Sequence, residues 1–140
     1  MIEKRPDGYS IASDGIDGDL VHHWMATDSY WAQGRPADRM VTALANSLVY
    51  GLFAPDGGQV GVARAVTDQA TFAWICDVYI DRAHRGLGLG TWLVGRLTQD
   101  LLDSGIPRVM LATLDAHGVY AKIGFAPLAA PERWMEIDRR

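Results

Sequence analysis

The sequence is poor in the residues that build disulfides, metal sites and membrane spans. Cys76 is the only cysteine among 140 residues, and no Cys/His grouping has the spacing of a zinc site. There is no run of about 18 apolar residues, and residues 1–8 lack the apolar core of a secretory signal. We therefore expect a cytoplasmic protein in a reducing compartment, with no membrane span and no bound metal.

Clustered positive charge is missing as well. The 13 Lys and Arg residues are spread along the chain and are outnumbered by 17 Asp and Glu residues, which gives a net charge of −4. A surface that binds nucleic acid needs cationic side chains grouped on one face. We therefore expect no nucleic-acid partner.

The composition is otherwise that of a folded globular domain with excess glycine. Apolar residues make up 49% and charged residues 21% of the 140 positions, which suits one domain with its own core. The 15 glycines exceed the usual share of about 7%. Because glycine adopts backbone conformations that other residues avoid, the positions of these glycines are informative.

Hydrophobic periodicity predicts strands alternating with helices. The predicted strands cover residues 8–12, 48–54, 59–66, 71–80 and 109–112, with short final strands at Phe125 and at residues 133–137. The predicted helices carry the apolar stripe of residues 20–25, a second stripe opened by Pro36, a third stripe over residues 92–102, and a last helix capped by Asp115 and ended by Gly124. Three consecutive strands between residues 48 and 80 favour an antiparallel meander.

A glycine-rich turn, residues 86–90, lies between a predicted buried strand and a predicted helix. Backbone N–H groups at such a turn, together with the positive end of the helix, can hold a phosphate. The turn is not a dinucleotide-binding fingerprint, because Thr91 and Leu93 stand where its two frames need a third glycine. It is not a P-loop either, because the only lysines are Lys4 and Lys122.

The pattern that remains is Arg85-x-x-Gly88-x-Gly90, directly after a strand that contains Asp77. This block resembles the central strand and pyrophosphate loop of the GNAT superfamily of acetyl-CoA-dependent N-acetyltransferases. A second block, Ala116 followed by residues 120–125 (YAKIGF), resembles the late helix of that superfamily in order and spacing. A glycine-rich turn between a strand and a helix can also serve only to let the backbone turn, without binding a phosphate. The second block is therefore what favours a cofactor loop over a simple turn. The resemblance covers residues 72–125 well and the first 46 residues hardly at all.

The resemblance implies one domain over residues 1–140, of the α/β (α+β) class. Its mixed, mostly antiparallel sheet would have six or seven strands, helices on both faces and a central splay between strands 71–80 and 109–112. The pantetheine arm of acetyl-CoA would pair in this splay, and the diphosphate would lie on the amides of residues 86–91. Arg85 would either add charge or hold the loop. The implied cofactor-binding residues are Val78, Tyr79, Ile80, Arg85, Gly86, Leu87, Gly88, Leu89, Gly90 and Thr91.

The implied reaction is acetyl transfer to a primary amine by direct attack. The resemblance places a backbone N–H near Val78 at the thioester carbonyl oxygen and Tyr120 near the sulfur as the acid, although Tyr120 could also be a core aromatic. The base is open because Cys76, which we expect to be a packing residue, stands where relatives carry a glutamate. Asp77 acting through a water and His117 are candidates. Against them stand a structural hydrogen-bonding role for Asp77 and a surface position for His117.

The acceptor side of relatives lies in the region that the resemblance covers least. Tyr30, Trp31 and Arg35, in the loop between the first two predicted helices, are candidates for substrate contact. Thr113 stands where many relatives carry an asparagine that contacts the cofactor, so that contact is not carried over. The acceptor itself is not defined by any motif.

Three functions remain open at this point. A small-molecule amine is the favoured acceptor, a peptide amine is the second possibility, and a non-catalytic domain that senses acyl-CoA is the third. Because GNAT proteins often pair, we also expect a homodimer, with Trp134 and Met135 as possible contributors.

Overall fold

The computed structural model describes all 140 residues and contains one six-stranded sheet. The strands lie side by side in chain order: β1 (Glu3–Lys4), β2 (Ser10–Ala12), β3 (Leu48–Phe53), β4 (Gln59–Thr67), β5 (Ala73–Ile80) and β6 (Val109–Leu111). All neighbours are antiparallel except β5 and β6, which are parallel. The predicted mixed, mostly antiparallel sheet is confirmed, with six strands.

The α-helices are α1 (Gly18–Asp28), α2 (Ala37–Ala45), α3 (Leu89–Asp103) and α4 (His117–Ala121). α1 begins after Asp17, whose carboxylate accepts a hydrogen bond from the Leu20 N–H at 3.0 Å, and α2 begins after Pro36, as the sequence predicts. α3 is the crossover that makes the parallel pairing of β5 and β6 possible. None of the helices has both the length and the apolar character needed to cross a bilayer.

Helices cover both faces of the sheet, as expected, and each face has its own core. α3 packs on one face through buried side chains of a single stripe: Leu89, Leu93, Val94, Leu97 and Leu101. α1 and α2 pack on the other face through Val21, Trp24, Met25 and Met40. Each fully buried aliphatic side chain of this kind stabilises the fold by roughly 1.5–3 kcal/mol. The two helical layers therefore hold β4 and β5 rigidly in the middle of the domain.

The C-terminal part differs from the sequence-based expectation. The predicted final strands are wrong: Phe125 lies in no strand, and the tail forms only a short 3-10 turn at Pro131–Arg133. The proline begins that turn and cannot donate to a sheet ladder. The Asp115 cap is also wrong, because α4 begins after Ala116. β1 was not predicted; its two residues are too few to show a periodic pattern.

Two glycines provide a test of this packing. A Cβ on Gly61 would lie 3.0 Å from the Tyr79 carbonyl oxygen, whereas a Cβ on Gly95 in α3 would meet nothing within 4 Å. We expect Gly61→Ala to lower the free energy of unfolding by about 1–3 kcal/mol through overpacking. Gly95→Ala should raise it by about 0.5–1 kcal/mol, since alanine loses less backbone entropy in a helix. Urea unfolding of both proteins measures the difference, and equal effects would contradict the described packing at Gly61.

Candidate active site

β5 and β6 pair over a short stretch and then separate. The pairing ends where Ile75 faces Leu111, and no later residue of β5 pairs with β6. A cavity of about 620 Å³ opens beyond this point. Its lining includes Cys76, Asp77 and Val78 of β5, Leu111 at the end of β6, and Ala112 and Thr113 directly after it. The predicted central splay is therefore present, and its unpaired strand edges are available to an extended ligand.

A β-bulge interrupts β5 beside this cavity. Cys76 and Tyr79 pair with residues of β4 that are only two positions apart, so Asp77 and Val78 together oppose the single residue Ala63. Asp77 has a φ of 51°, in the left-handed region. Because of the bulge, strict alternation along β5 fails, and the side chains of Cys76 and Asp77 both line the cavity.

Three donors bind the buried carboxylate of Asp77, which is 4% exposed. Arg35 donates to both oxygens at 2.6 and 3.2 Å, Arg64 Nε donates at 2.9 Å, and the indole N–H of Trp31 donates at 2.9 Å. Burial alone would raise the pKa of Asp77, but the two guanidinium groups outweigh burial and lower it. A carboxylate held in this way stays ionised, which favours a structural role for Asp77 over the role of a base.

Cys76 lies beside this cluster as a free thiol. Burial raises the pKa of Cys76 to about 11, although the charge of Arg64 opposes the shift. A thiol that stays protonated at neutral pH is a poor nucleophile. This agrees with the expectation that Cys76 is a packing residue and makes a covalent acetyl-cysteine step unfavourable.

The turn before α3 exposes a row of backbone N–H groups. Gly86 and Gly88 have φ values of 83° and 72°, and a Cβ on either would meet nothing within 4 Å. Trp92 is the first residue after the turn whose N–H has a backbone acceptor, the Gly88 carbonyl at 3.1 Å. The N–H groups that precede it at the positive end of α3 are free to bind an anion, as a diphosphate site requires.

Arg85 braces this turn. Its Nε donates to the Ile80 carbonyl at 2.8 Å, and its guanidinium lies 5.2 Å from the centre of the Tyr79 ring. The Tyr79 side chain in turn stacks on Trp24 of α1 and donates a hydrogen bond to Asp28. These contacts favour the loop-holding role for Arg85 and leave the backbone of Tyr79, rather than its ring, for a ligand in the splay.

Tyr120 on α4 borders the cavity from the β6 side. Its hydroxyl makes no hydrogen bond within the protein, and its ring packs edge-on against Phe125, with centroids 6.1 Å apart. Burial raises the pKa of Tyr120, and the nearby charges of Tyr30 and Asp115 add to the shift. The phenol is therefore protonated at neutral pH, and its hydroxyl has no partner within the protein, so it is free to donate a hydrogen bond into the cavity.

His117 lies outside this cavity. It is exposed and lines a second cavity of about 750 Å³ between β6 and residues 126–129, a cavity that Tyr120 also borders. The structure thus brings Tyr120 and Asp77 to one cavity and leaves His117 out of it, which favours the surface interpretation of this histidine.

The three predicted substrate-contacting residues all line the cavity. Tyr30 is 57% exposed and packs edge-on against Trp31, with ring centroids 4.9 Å apart. Trp31 and Arg35 are both engaged with Asp77. Tyr30 therefore presents the freest aromatic surface to an acceptor.

Sequence reasoning missed Arg64, Trp74 and Asp115, all of which line the same cavity. The sequence does carry a signal for Arg64, because it is the only charged residue in the strand QVGVARAVT. Trp74 carries no such signal, because most residues of β5 are apolar and a tryptophan among them suggests only core packing. Asp115 was assigned to helix capping because its place before a helix suits a cap equally well.

The match to known sequences agrees with this geometry. The sequence model of the acetyltransferase (GNAT) family matches residues 19–125, most of the chain. The chain belongs to the GNAT family. Both blocks of the resemblance, the glycine-rich turn and the segment around Tyr120, lie inside the matched residues.

Individual GNAT relatives cover most of this chain. A solved GNAT-family protein of Xanthomonas campestris pv. campestris (xcc2953) is 36% identical, with a TM-score of 0.87 over 94% of this chain and 93% of that chain. FG08082 of Gibberella zeae is 32% identical over 137 residues, which cover 81% of this chain and 76% of the relative. The histone acetyltransferase TAP1 of Glycine max is 30% identical over 89% of this chain, which spans 61% of that relative.

GNAT proteins are acyltransferases that use acetyl-CoA, and this chain is therefore an acetyl-CoA-dependent acyltransferase. Rv2747 of Mycobacterium tuberculosis, which was solved in complex with CoA, shares the fold at 22% identity, with a TM-score of 0.69 over 86% of this chain and 76% of that chain. The residues present here fit acetyl-CoA. Free N–H groups at the start of α3 suit the diphosphate, and the open edges of β5 and β6 suit the pantetheine arm.

The Asp77 cluster can be tested through stability. We expect Asp77→Ala to lower the free energy of unfolding by about 3–5 kcal/mol, since Arg35 and Arg64 would face each other without a counter-charge. Because folding lowers the pKa of Asp77, its contribution is complete above about pH 4 and is lost as the pH falls through the lowered value. Urea unfolding at neutral and acidic pH measures this, with Asp14→Ala, an exposed carboxylate outside the cavity, as the control. If Asp77→Ala were as stable as the control at neutral pH, the cluster would not hold the bulge.

The cofactor loop can be tested with a matched pair of glycines. Gly88 and Gly105 both have positive φ values, 72° and 97°, and a Cβ on either would meet nothing. Alanine should therefore cost about 1–2 kcal/mol of backbone strain at each position. We expect Gly88→Ala alone to weaken CoA binding, by about 10-fold or more, because only that loop offers amides to the diphosphate. Calorimetric titration with CoA would show this; equal affinities for the two variants would remove the loop from the binding site.

Proposed function

We propose that this GNAT protein transfers the acetyl group of acetyl-CoA to the primary amine of a small molecule, by direct attack while both substrates are bound. The observation that supports this most strongly is the position of Tyr120. Its unpartnered hydroxyl borders the same cavity as the open strand edges that suit the cofactor arm. A domain that only binds CoA has no need of a free proton donor there.

Different groups of the chain bind different parts of acetyl-CoA. The N–H groups of residues 86–91 hold the diphosphate, with Arg85 bracing their turn. The edge of β5 from Val78 to Ile80 pairs with the pantetheine arm, and the backbone N–H near Val78 orients the thioester carbonyl. Tyr79 acts here through its backbone, since its ring packs against α1.

The bond changes are those of a simple acyl transfer. The neutral amine nitrogen forms a bond to the acetyl carbonyl carbon, the carbon–sulfur bond breaks, and the departing sulfur takes a proton. Tyr120 supplies that proton; because its pKa is raised, the phenol remains protonated until the sulfur leaves. Neither Asp77, held by two arginines, nor His117, on the other cavity, is placed to take the amine's proton.

The cavity also supports a small acceptor. Most of its lining is apolar or aromatic, and Tyr30 and Trp31 form one wall of it. Relatives carry names with different acceptors: TAP1 of Glycine max is named a histone acetyltransferase, and a relative of Oryza sativa is named serotonin N-acetyltransferase 2. The Oryza relative is 30% identical over 131 residues, which cover 89% of this chain and 64% of that protein. A wall formed by two aromatic side chains favours a small amine over a peptide.

The homodimer stays a prediction. The tail after the last 3-10 turn carries apolar side chains that the chain itself does not cover, with Met135 96% and Ile137 89% exposed. Trp134 is anchored by Arg108, whose guanidinium lies 4.6 Å from its ring centre. An uncovered apolar segment of this kind supports association with a second copy.

The acid role of Tyr120 gives the sharpest test of this function. We expect Tyr120→Phe to lower kcat by about 10²-fold or more, because the sulfur would leave without a proton donor. The KM for acetyl-CoA should stay within a factor of about two, since the ring and its packing on Phe125 are kept. Release of free CoA, measured across a panel of small amines and peptides, gives both constants.

The same panel separates the alternatives. Equal turnover by the wild type and Tyr120→Phe would remove Tyr120 as the acid. Turnover on peptides alone would assign a protein acceptor. CoA binding without turnover on any amine would assign a sensor and overturn the proposed enzyme.

A further inference from the structure

We propose that Asp115 binds the ammonium group of the acceptor and takes its proton, and that the acceptor is a primary amine carrying an aromatic ring. This inference rests on the proposed acetyl transfer and names its substrate class. It starts from a group that the site still needs. An amine that arrives as a cation must lose a proton before it can attack, and the carboxylate of Asp77 on the β5 bulge is not available to take that proton.

The charged groups of the cavity lining leave one carboxylate without a partner. Asp77 is bound by Arg35 and Arg64, and Arg140 pairs with Asp138 at 2.6 Å. The remaining ionisable side chains of the lining are Cys76, Tyr30, Tyr120 and Asp115. Of these only Asp115 is a carboxylate, and it takes part in no ion pair or hydrogen bond.

The local backbone explains why Asp115 is free. It lies between β6 and α4, one residue before the cap position, because α4 begins after Ala116. The one side-chain hydrogen bond at this start runs from the Ala116 N–H to the Thr113 hydroxyl at 3.0 Å and does not involve Asp115. The carboxylate of Asp115 is therefore not used by the fold and stays exposed at the cavity.

Asp115 also lies on the correct side of the cavity for the chemistry. It precedes α4, which carries Tyr120, and its charge contributes to the raised pKa of Tyr120 after burial and Tyr30. Across the cavity, Arg35 and Arg64 together exceed the charge of Asp77 by one, so that wall repels a cation. An ammonium group is therefore drawn to the Asp115 side, near the proposed acid.

Aromatic side chains contact the part of the acceptor beyond its ammonium group. Tyr30, Trp31 and Trp74 line the cavity, together with the half-exposed Val66. Aromatic walls of this kind favour a flat apolar group through edge and stacking contacts. An aromatic primary amine therefore satisfies both the free carboxylate and the aromatic lining.

The protons balance in this scheme. The ammonium gives one proton to the Asp115 carboxylate, which passes it to solvent from its exposed position. The neutral nitrogen then bonds to the acetyl carbon and loses its second proton as the amide forms. One proton goes from Tyr120 to the departing sulfur, and the nitrogen's second proton restores Tyr120. The net products are the amide, CoA with a free thiol, and one proton in solution.

The test uses two acceptors of nearly the same shape. 2-Phenylethylamine is a cation at neutral pH, whereas O-benzylhydroxylamine, in which oxygen replaces the methylene next to nitrogen, is neutral. We expect Asp115→Asn to lower kcat/KM for 2-phenylethylamine by about 10-fold or more, with the KM for acetyl-CoA within a factor of about two. For O-benzylhydroxylamine we expect a change below about 3-fold, because its nitrogen is already neutral, so no proton has to be removed before the attack and no cation has to be held. Asp14→Asn, which removes an exposed charge outside the cavity, is the matched control.

A binding measurement keeps this inference separate from the proposed function. Calorimetric titration of 2-phenylethylamine into the CoA-saturated protein should show affinity for the wild type and about 10-fold less for Asp115→Asn. That difference without any turnover would support Asp115 while overturning the enzyme. Turnover with equal losses on both amines, with no loss on either, or with the same loss in Asp14→Asn would overturn the Asp115 assignment and leave acetyl transfer standing. A wild type that neither binds nor acetylates 2-phenylethylamine would also overturn it.

Discussion

The site depends on one buried carboxylate shared by two guanidinium groups. Arg35 comes from the loop between α1 and α2, Arg64 comes from β4, and both meet Asp77 on the bulge of β5. Burying a charge without a partner would cost several kcal/mol, so loss of Asp77 would leave both arginines uncompensated, whereas loss of one arginine would leave Asp77 paired with the other. Trp31, from the same loop as Arg35, is the third donor to this carboxylate. This cluster therefore connects the N-terminal helices, the part of the chain that the sequence resemblance covers least, to the centre of the sheet.

The same cluster decides where the chemistry can occur. By holding the bulge, it keeps Asp77 and Val78 out of regular pairing with β4, next to the point after Ile75 where the other edge of β5 is unpaired and faces the splay. It also neutralises the carboxylate nearest to that backbone and leaves the wall with a net positive charge. A reaction that must strip a proton from nitrogen therefore needs a group from elsewhere. The segment from β6 to α4, which supplies Tyr120 and Asp115, is the other wall of the cavity.

The elements governed by local chemistry could be predicted from the sequence, and the others could not. The start of α2 after Pro36 and the glycine turn before α3 depend on short-range patterns that one sequence carries, whereas the placement of Tyr120 at the cavity was implied by the family resemblance. The bulge at Asp77 depends on a register shift against β4, which no pattern within β5 reveals. A cap at Asp115 is predicted because an aspartate before a helix commonly caps it, but α4 begins one residue later, after Ala116, and that boundary is set by backbone geometry. Residues 133–137 form no strand although their pattern predicts one, because a strand also needs the free edge of a neighbouring strand and a backbone that can reach that edge.

These differences follow from how the two substrates are recognised. In the proposed function the diphosphate is held by backbone N–H groups whose positions depend on a few glycine conformations, so a short motif is enough to predict the cofactor. The cavity proposed to hold the acceptor is lined by side chains from four separate segments: the loop after α1, the strand β4, the strand β5, and the residues after β6. Their convergence is a property of the fold and not of any one segment. Resemblance to a family can therefore define acetyl-CoA as the donor while leaving the acceptor to be inferred from charges and aromatic surfaces in the assembled cavity.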